Sequence, residues 1–351
     1  MSTSSDARQL ARDTLAGNTA STRLDALGFA GLEQLCRRVS GVHAPHRSAR
    51  HEARDGFPIV DSETRALRLA LPDGACVVCE NQTCPAVDQR ELPHGDLAWL
   101  TPNLYPITFP FDDAANAANA DTRGVHLVHW SSLQHRGGLA GADAATAAAL
   151  FSQLADVERF LLHEAPAHYP DTGDGHRGYV STIKNRGRRV GGSVEHDHQQ
   201  ILLSALAPGE PPRARELAQR LRTDTPGELV VQSLDGLASV LVPTFMRRPL
   251  HAFVAPATPG VGHLHHMPSE ERDACALLVA RLCAALDALM TASHGEPAWN
   301  LICHTGAGIG PLFELRPFTQ PLGGYEHLGL YLCEESPQRS AARLRDAFAA
   351  H

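Results

Sequence analysis

Between Gly191 and Leu203 the chain reads Gly-Gly-Ser-Val-Glu-His-Asp-His-Gln-Gln-Ile-Leu-Leu, and this order narrows both fold and chemistry. The apolar run Ile201-Leu202-Leu203 predicts a strand. If the strand begins near Glu195, side chains alternate between its faces. His196, His198 and Gln200 then share one face, and Asp197 and Gln199 take the other. Neutral imidazole is a competent nucleophile near pH 7, because its pKa lies close by. Gly191 and Gly192 let backbone N–H groups approach phosphate oxygens with no Cβ in the way. Two imidazoles and an amide beside a glycine turn form a set able to hold a phosphate and attack it. The plain alternative is a histidine-rich edge strand, since a chain with 20 histidines makes His-x-His pairs by chance. The flanking Gly-Gly-Ser and the following Gln200 favour the functional reading.

The rest of the composition mainly excludes. A chain of 351 residues can form two compact units with a sizeable core. Its net charge of −8 argues against generic nucleic-acid binding. No apolar run is expected to span a membrane, and residues 1–22 are polar, without a signal-peptide core. Cytoplasmic residence is the expectation. The eight cysteines are scattered rather than spaced as a small-domain disulfide framework.

Along the chain, residues 1–23 read as a flexible lead. Leu24 to Ser40 reads as an amphipathic helix with Leu27, Phe29, Leu32, Leu35 and Val39 near one side. His43 to Arg54, basic and histidine-rich, reads as a solvated loop, with part of the substrate mouth as its alternative. Cys76-Val77-Val78-Cys79 follows the turn signal Pro72-Asp73-Gly74 and is either half of a metal site or a redox pair. Cys84 is a rival ligand or a buried thiol. Asp112 to Thr122 reads as a surface loop. Asp143 to Glu164 reads as a helix with Leu150, Leu154, Val157 and Leu161 on one side. Further on, Arg213–Arg222, Ser269–Ala292 and Ser336–Ala350 read as helices, the second with an imperfect capping box at Ser269. Strands are expected at 229–231, 239–242, 251–256, 299–304 and 312–317.

The segment Ile183-Lys184-Asn185-Arg186-Gly187-Arg188-Arg189-Val190-Gly191-Gly192-Ser193, running into His196-Asp197-His198-Gln199-Gln200, resembles the active-site segment of the galactose-1-phosphate uridylyltransferase family. That family is a branch of the histidine-triad superfamily and includes ADP-sugar and dinucleotide phosphorylase-like members. Its usual pattern is K-N-x-G-x-x-A-G-A-S-x-x-H-P-H-x-Q. Asp197 departs from it, standing where proline is usual. The resemblance covers about Cys76 to Arg345. It implies an α+β fold, a duplicated histidine-triad-like arrangement of two halves, each an antiparallel sheet with packing helices. The expected division is residues 24–208 for the half with metal site and nucleophile, and 209–351 for the other.

The resemblance also implies roles. Gly124 to His135 resembles the family's G-x-H-E-V-I-V-x-T-P-x-H, which makes His135 a metal ligand. The implied set is Cys76, Cys79, His135 and His196 around a structural Zn2+. Trp99 to Pro106 resembles the family's P-N-x-F/Y-P element, so Asn103 is a nucleotide contact, with a structural Asx turn as its alternative. In the second half, Gly310 and Leu312 stand where many members have a second histidine pair, which implies that a second metal site of the usual kind is absent. Gly323-Gly324-Tyr325-Glu326 resembles a segment that faces the sugar phosphate from the other half of a dimer. Tyr325 and Glu326 are therefore substrate contacts or, alternatively, a turn and a capping carboxylate.

The implied activity is nucleotidyl transfer from a nucleotide sugar to a sugar 1-phosphate through a covalent nucleotidyl-His198. Gln200 would hold a non-bridging oxygen. Ser193, Asn185, Gly191 and Gly192 would stabilise the departing phosphate, with Arg186, Arg188 and Arg189 adding positive charge. The alternatives are a phosphorylase acting on an ADP-sugar or dinucleoside polyphosphate with inorganic phosphate as acceptor, and a non-catalytic nucleotide-binding relative. The expected partners are a nucleotide sugar, a phosphorylated small-molecule acceptor and a second copy of the chain, with no nucleic acid or membrane.

Overall fold

The structure, a computed structural model, describes residues 24–41, 49–50, 59–60, 76–80, 83–111, 122–207, 211–306 and 309–350. The expected lead at 1–23 and the Pro72-Asp73-Gly74 turn lie outside these residues, as do nearly all of the two loops expected at 43–54 and 112–122.

The chain divides into two compact units. One takes the described residues up to Gly138 with Gln153–Thr182 and Ser193–Pro211; the other takes Leu139–Ser152, Ile183–Gly192 and the described residues from Pro212 on. Helix α1 (Leu24–Ser40) opens the first unit. Gly28 interrupts it at φ +66°, a left-handed conformation that suits glycine. The break re-aims the apolar stripe. Phe29, Leu32, Glu33, Cys36 and Ser40 are buried, while Leu27, Leu35 and Val39 of the expected face are only half-buried. The short pair β1 (Ala49–Arg50) and β2 (Ile59–Val60) follows, then β3 (Asp88–Glu91), β4 (Leu97–Pro102) and β5 (Gly124–Trp130). Helix α2 (Ala144–Glu164) starts where the Thr146 N–H donates to Asp143 Oδ1 at 2.8 Å, and its expected stripe, Leu150, Leu154, Val157 and Leu161, is buried. Strands β6 (Tyr179–Arg186) and β7 (His198–Ser204) join these in the strand order β3-β4-β5-β7-β6.

The second unit repeats this arrangement. Helix α3 (Pro211–Asp224) precedes β8 (Val230–Leu234), β9 (Ala238–Leu241), β10 (Ala252–Pro256), helix α4 (Ser269–His294), β11 (Trp299–His304) and β12 (Leu312–Pro317). Its strand order, β8-β9-β10-β12-β11, is that of the first unit element for element. The short α5 (Gly324–His327) and α6 (Pro337–Ala349) end the chain, with Ser336 capping α6 by accepting from the Arg339 N–H. The strands are antiparallel in all registered pairs. The molecule is therefore α+β, as expected.

Two expectations change. The capping box at Ser269 is absent: Pro268 is the N-cap and no side chain caps the end. Helix α4 is also long and apolar enough, by length and composition, to cross a membrane, contrary to the reading that no segment reaches that length. It is the core helix of its unit, with Cys275, Leu278, Val279, Leu282, Cys283 and Leu286 fully buried. A core helix passes such a test because burial in protein and in lipid select the same side chains.

In place of a second histidine pair, the second unit holds a buried carboxylate. Glu314 on β12 is 1% exposed and accepts from His251 Nε2 at 2.7 Å, His304 Nε2 at 2.7 Å and Arg316 Nε at 2.6 Å. Burial pushes its carboxyl pKa up. The hydrogen bonds from the two imidazoles and the charges of His251 and Arg316 more than reverse this and hold it well below the usual range. A depressed carboxyl contributes stability above its unfolded pKa and loses it as pH falls through the folded one. Glu314→Gln should therefore cost about 3 kcal/mol at pH 7, by leaving buried donors without their anion. Denaturant unfolding of the two proteins should show that difference shrinking below about pH 4. A difference independent of pH would contradict it.

Candidate functional site

The turn Cys76–Glu80 and the entry to β7 meet in the first unit. The Glu80 N–H donates to the Cys76 carbonyl at 2.9 Å, and the Cys79 N–H to Cys76 Sγ at 3.5 Å, so both thiols lie on one side of the turn. His196 Nδ1 stands 3.7 Å from Cys76 Sγ, and His135 Nδ1 3.5 Å from Cys79 Sγ. The four ligand atoms all lie within 4.8 Å of one another. A tetrahedral ion with sulfur at ~2.3 Å and nitrogen at ~2.0 Å spaces its ligand atoms by about 3.3–3.8 Å, so the group has the right size.

The outer atoms agree. His196 Nε2 donates to the Ser132 carbonyl at 2.7 Å, and His135 Nε2 lies 3.5 Å from Glu195 Oε2, so each ring turns Nδ1 toward a thiol. Burial lowers the His196 pKa, which keeps the ring neutral as a metal ligand must be. Burial, then the hydrogen bond and charge of the adjoining Cys76 thiol, pushes Cys79 up to about 11, and a bound divalent cation would favour the thiolate against both. Val78, Trp99, Trp130 and Leu133 wrap the cluster. These four residues could hold a metal ion. Cys84 is not among them; burial pushes its thiol up to about 11 and it lines the neighbouring cavity.

Strand β7 begins at His198, three residues later than the alternation predicted. His196 lies ahead of the ladder because its side chain turns to the cysteines. Its backbone stays useful: His198 Nδ1 donates to the His196 carbonyl at 2.8 Å. That bond puts the His198 lone pair on Nε2. His198 faces a cavity of about 110 Å³ whose lining includes Ser193, Gln200, Asn103, Tyr105 and Trp130. Opposite β7, Trp130 pairs with His198 and Val128 with Gln200. Asn103 serves as an Asx turn, its Oδ1 accepting from the Tyr105 N–H at 2.9 Å, and also lines this cavity.

The opposite face of β7 is buried, and its polar end is closed. Gln199 Oε1 accepts from Ser131 Oγ at 2.8 Å and lies 2.9 Å from His129 Nδ1. Asp197 is buried against Gly138, where a Cβ would stand 2.3 Å from Asp197 Oδ2; Gly138 holds φ +115°. His126 was missed by the sequence reading. It is 3% exposed, and its Nε2 lies 3.1 Å from Gln200 Oε1. The signal was present, since His126, Val128 and Trp130 alternate along β5 onto one face.

The remaining expected residues belong to the second unit. Asn185 Oδ1 accepts from Asn300 Nδ2 at 2.8 Å. The Gly191 N–H donates to Arg188 O at 3.2 Å and the Gly192 N–H to Gly187 O at 3.0 Å, so both amides close their own turn. Arg186 pairs with Asp287 at 3.1 Å, and Arg189 stacks over Phe318 with 4.8 Å to the ring centre. Glu326 accepts from the Gly323 N–H at 2.8 Å and the Leu332 N–H at 3.2 Å, while Tyr325 is exposed. Hydrogen bonds from backbone N–H groups, its own first, hold the Glu326 carboxyl below the ordinary value.

No protein-family model matches the sequence, and no curated protein does. Solved structures do. A uridylyltransferase superposes with a TM-score of 0.65 at 19% identity, over 86% of this chain and 98% of that one. A GalT-like protein from Arabidopsis thaliana gives 0.62 at 16% identity, over 77% and 90%. An Arabidopsis thaliana ADP-glucose phosphorylase with bound ADP-glucose gives 0.61 at 16% identity, over 85% and 98%. The chain therefore shares the fold of these three proteins.

Proposed function

We propose that this chain is a nucleotidyltransferase that works through a covalent nucleotidyl-His198 intermediate. One observation carries the reading: His198, which lines a cavity with Gln200 and Ser193, donates Nδ1–H to the His196 carbonyl and so carries its lone pair on Nε2. In the first step Nε2 forms a bond to the α-phosphorus of a nucleotide sugar. The bond from phosphorus to the bridging oxygen breaks, and the sugar phosphate leaves with the electron pair. The carbonyl of His196 stabilises the positive charge that develops on the ring. In the second step a phosphate oxygen of the acceptor attacks the same phosphorus, and the P–N electrons return to Nε2. The leaving groups are weak bases, so positioning and charge neutralisation matter more than a general acid. Gln200 would hold a non-bridging oxygen and Ser193 would contact the departing phosphate.

Transfer to a sugar 1-phosphate is the primary reading. The likeness to the ADP-glucose phosphorylase favours a second, in which inorganic phosphate is the acceptor and the first step is unchanged. Cys76, Cys79, His135 and His196 would hold zinc, which when bound would act structurally, since four protein ligands leave it no open position.

A homodimer is part of the proposal. Leu322, Tyr325, Leu328, Leu330, Tyr331 and Leu332 are 41–78% exposed within one stretch. Concentrated apolar exposure of this kind marks an interaction surface. Tyr325 and Glu326 would there reach the partner's site.

The direct test is labelling. The protein is incubated with UDP-glucose or ADP-glucose carrying label in the α-phosphate, quenched and mapped. Wild-type protein should carry label on His198. His198→Gly should keep one zinc per chain and lose turnover by at least about a thousand-fold. Cys76→Ser should instead lose zinc and several kcal/mol of stability. Label on another residue, or near-normal turnover by His198→Gly, would contradict the mechanism. Sedimentation should show a dimer that Leu328→Arg dissociates; a fully active wild-type monomer would remove the roles given to Tyr325 and Glu326.

A further inference from the structure

His126 stands beside the nucleophile's cavity with both ring nitrogens engaged. The Ile107 N–H donates to His126 Nδ1 at 3.0 Å. A ring nitrogen that accepts carries no proton, so the proton of the neutral ring sits on Nε2. That nitrogen lies 3.1 Å from Gln200 Oε1 and 3.1 Å from Asn103 Nδ2. With Nε2 protonated, only the Gln200 oxygen can accept from it. The Asn103 amide cannot turn to offer its own oxygen, because Asn103 Oδ1 already accepts from the Tyr105 N–H at 2.9 Å. The contact with Asn103 Nδ2 is therefore an approach of two donors.

Two amide orientations follow. Gln200 turns its oxygen to His126 and its NH2 away from it. Asn103 turns its oxygen to the Tyr105 amide and keeps its NH2 on the other side. Both residues line the cavity that His198 faces. An amide that is free to rotate can present an oxygen as readily as an NH2, and an oxygen would repel a phosphate. We infer that His126 is a positioning residue, which holds the Gln200 amide with its NH2 as the donor for a non-bridging phosphate oxygen of the substrate. It touches no reacting atom, and it acts through Gln200. The inference rests on the nucleotidyl-transfer reading for its consequence, while the orientation itself is a property of the resting protein.

Two substitutions separate this role from simple packing. His126→Leu and His126→Gln both take the acceptor from the Ile107 N–H. Only glutamine can place an N–H where Nε2 was and donate to Gln200. The rate of His198 labelling by saturating α-labelled UDP-glucose or ADP-glucose should fall about 10–100-fold in His126→Leu, with nucleotide-sugar affinity changed little, because the bond to phosphate strengthens in the transition state. His126→Gln should stay within a few-fold of wild type. In a Gln200→Ala background His126→Leu should have no further effect, since the group it orients is gone. A full His126→Leu loss in that background, or equal loss in His126→Gln and His126→Leu, would overturn the inference. Nitrogen-15 NMR of the resting wild-type protein judges it independently of activity. The expected result is a pyridine-type Nδ1 and a protonated Nε2 on His126. A proton on Nδ1 would overturn the orientation even if labelling succeeds. If no nucleotide sugar labels wild-type protein but the tautomer is as stated, the reaction assignment fails and the orientation stands.

Discussion

The entry to β7 depends on how His196 is held. Its Nε2 donates to the Ser132 carbonyl, which turns Nδ1 to the Cys76 thiol, and its own carbonyl accepts from His198. Side chain and backbone of one residue thus serve two neighbouring groups. The side chain is committed to the Cys76–Cys79–His135 cluster, and the backbone sets the tautomer of the ring two residues on. Any change that frees His196 would release the hydrogen bond that puts the His198 lone pair on Nε2. A cluster of this kind can therefore matter to catalysis while touching no substrate.

The same strand order occurs twice, and only one copy carries these residues. β7 and β12 occupy equivalent places in the two strand orders. β7 starts with His198 and places Gln200 two residues on; β12 starts with Leu312 and places Glu314 two residues on. Gln200 lies opposite Val128 of β5, and Glu314 opposite Phe253 of β10. The second unit offers a leucine where the nucleophile would stand. Its polar position holds a carboxylate already bound to two imidazoles and a guanidinium. An anion so placed would repel a phosphate, so the strand order repeats without the proposed site.

Much of this was legible in the residues. Apolar runs located β11 and β12 to the residue, because both are bounded by strong breakers and packed at both faces. The four-residue Cys/His group was readable through C-x-x-C and the family resemblance, and the four meet in the structure. The misses have local causes. Alternation alone started β7 too early, since it carries no information on a side chain drawn off to a cluster. The face of α1 was misjudged because a glycine at positive φ breaks the helical phase that periodicity assumes. His126 was overlooked because its role depends on strand register: only the pairing of β5 with β7 brings it to Gln200. The roles expected for Gly191 and Gly192 depended on N–H groups that close a turn here, which no residue count reveals.

The stereochemical course at phosphorus tests the covalent account most directly. A nucleotide sugar with a chiral α-phosphorothioate would be turned over with its acceptor, and the configuration of the product determined. Two successive in-line displacements, first by His198 Nε2 and then by the acceptor, each invert the centre, so overall retention is predicted. Net inversion would mean direct transfer from donor to acceptor and would contradict a nucleotidyl-histidine intermediate.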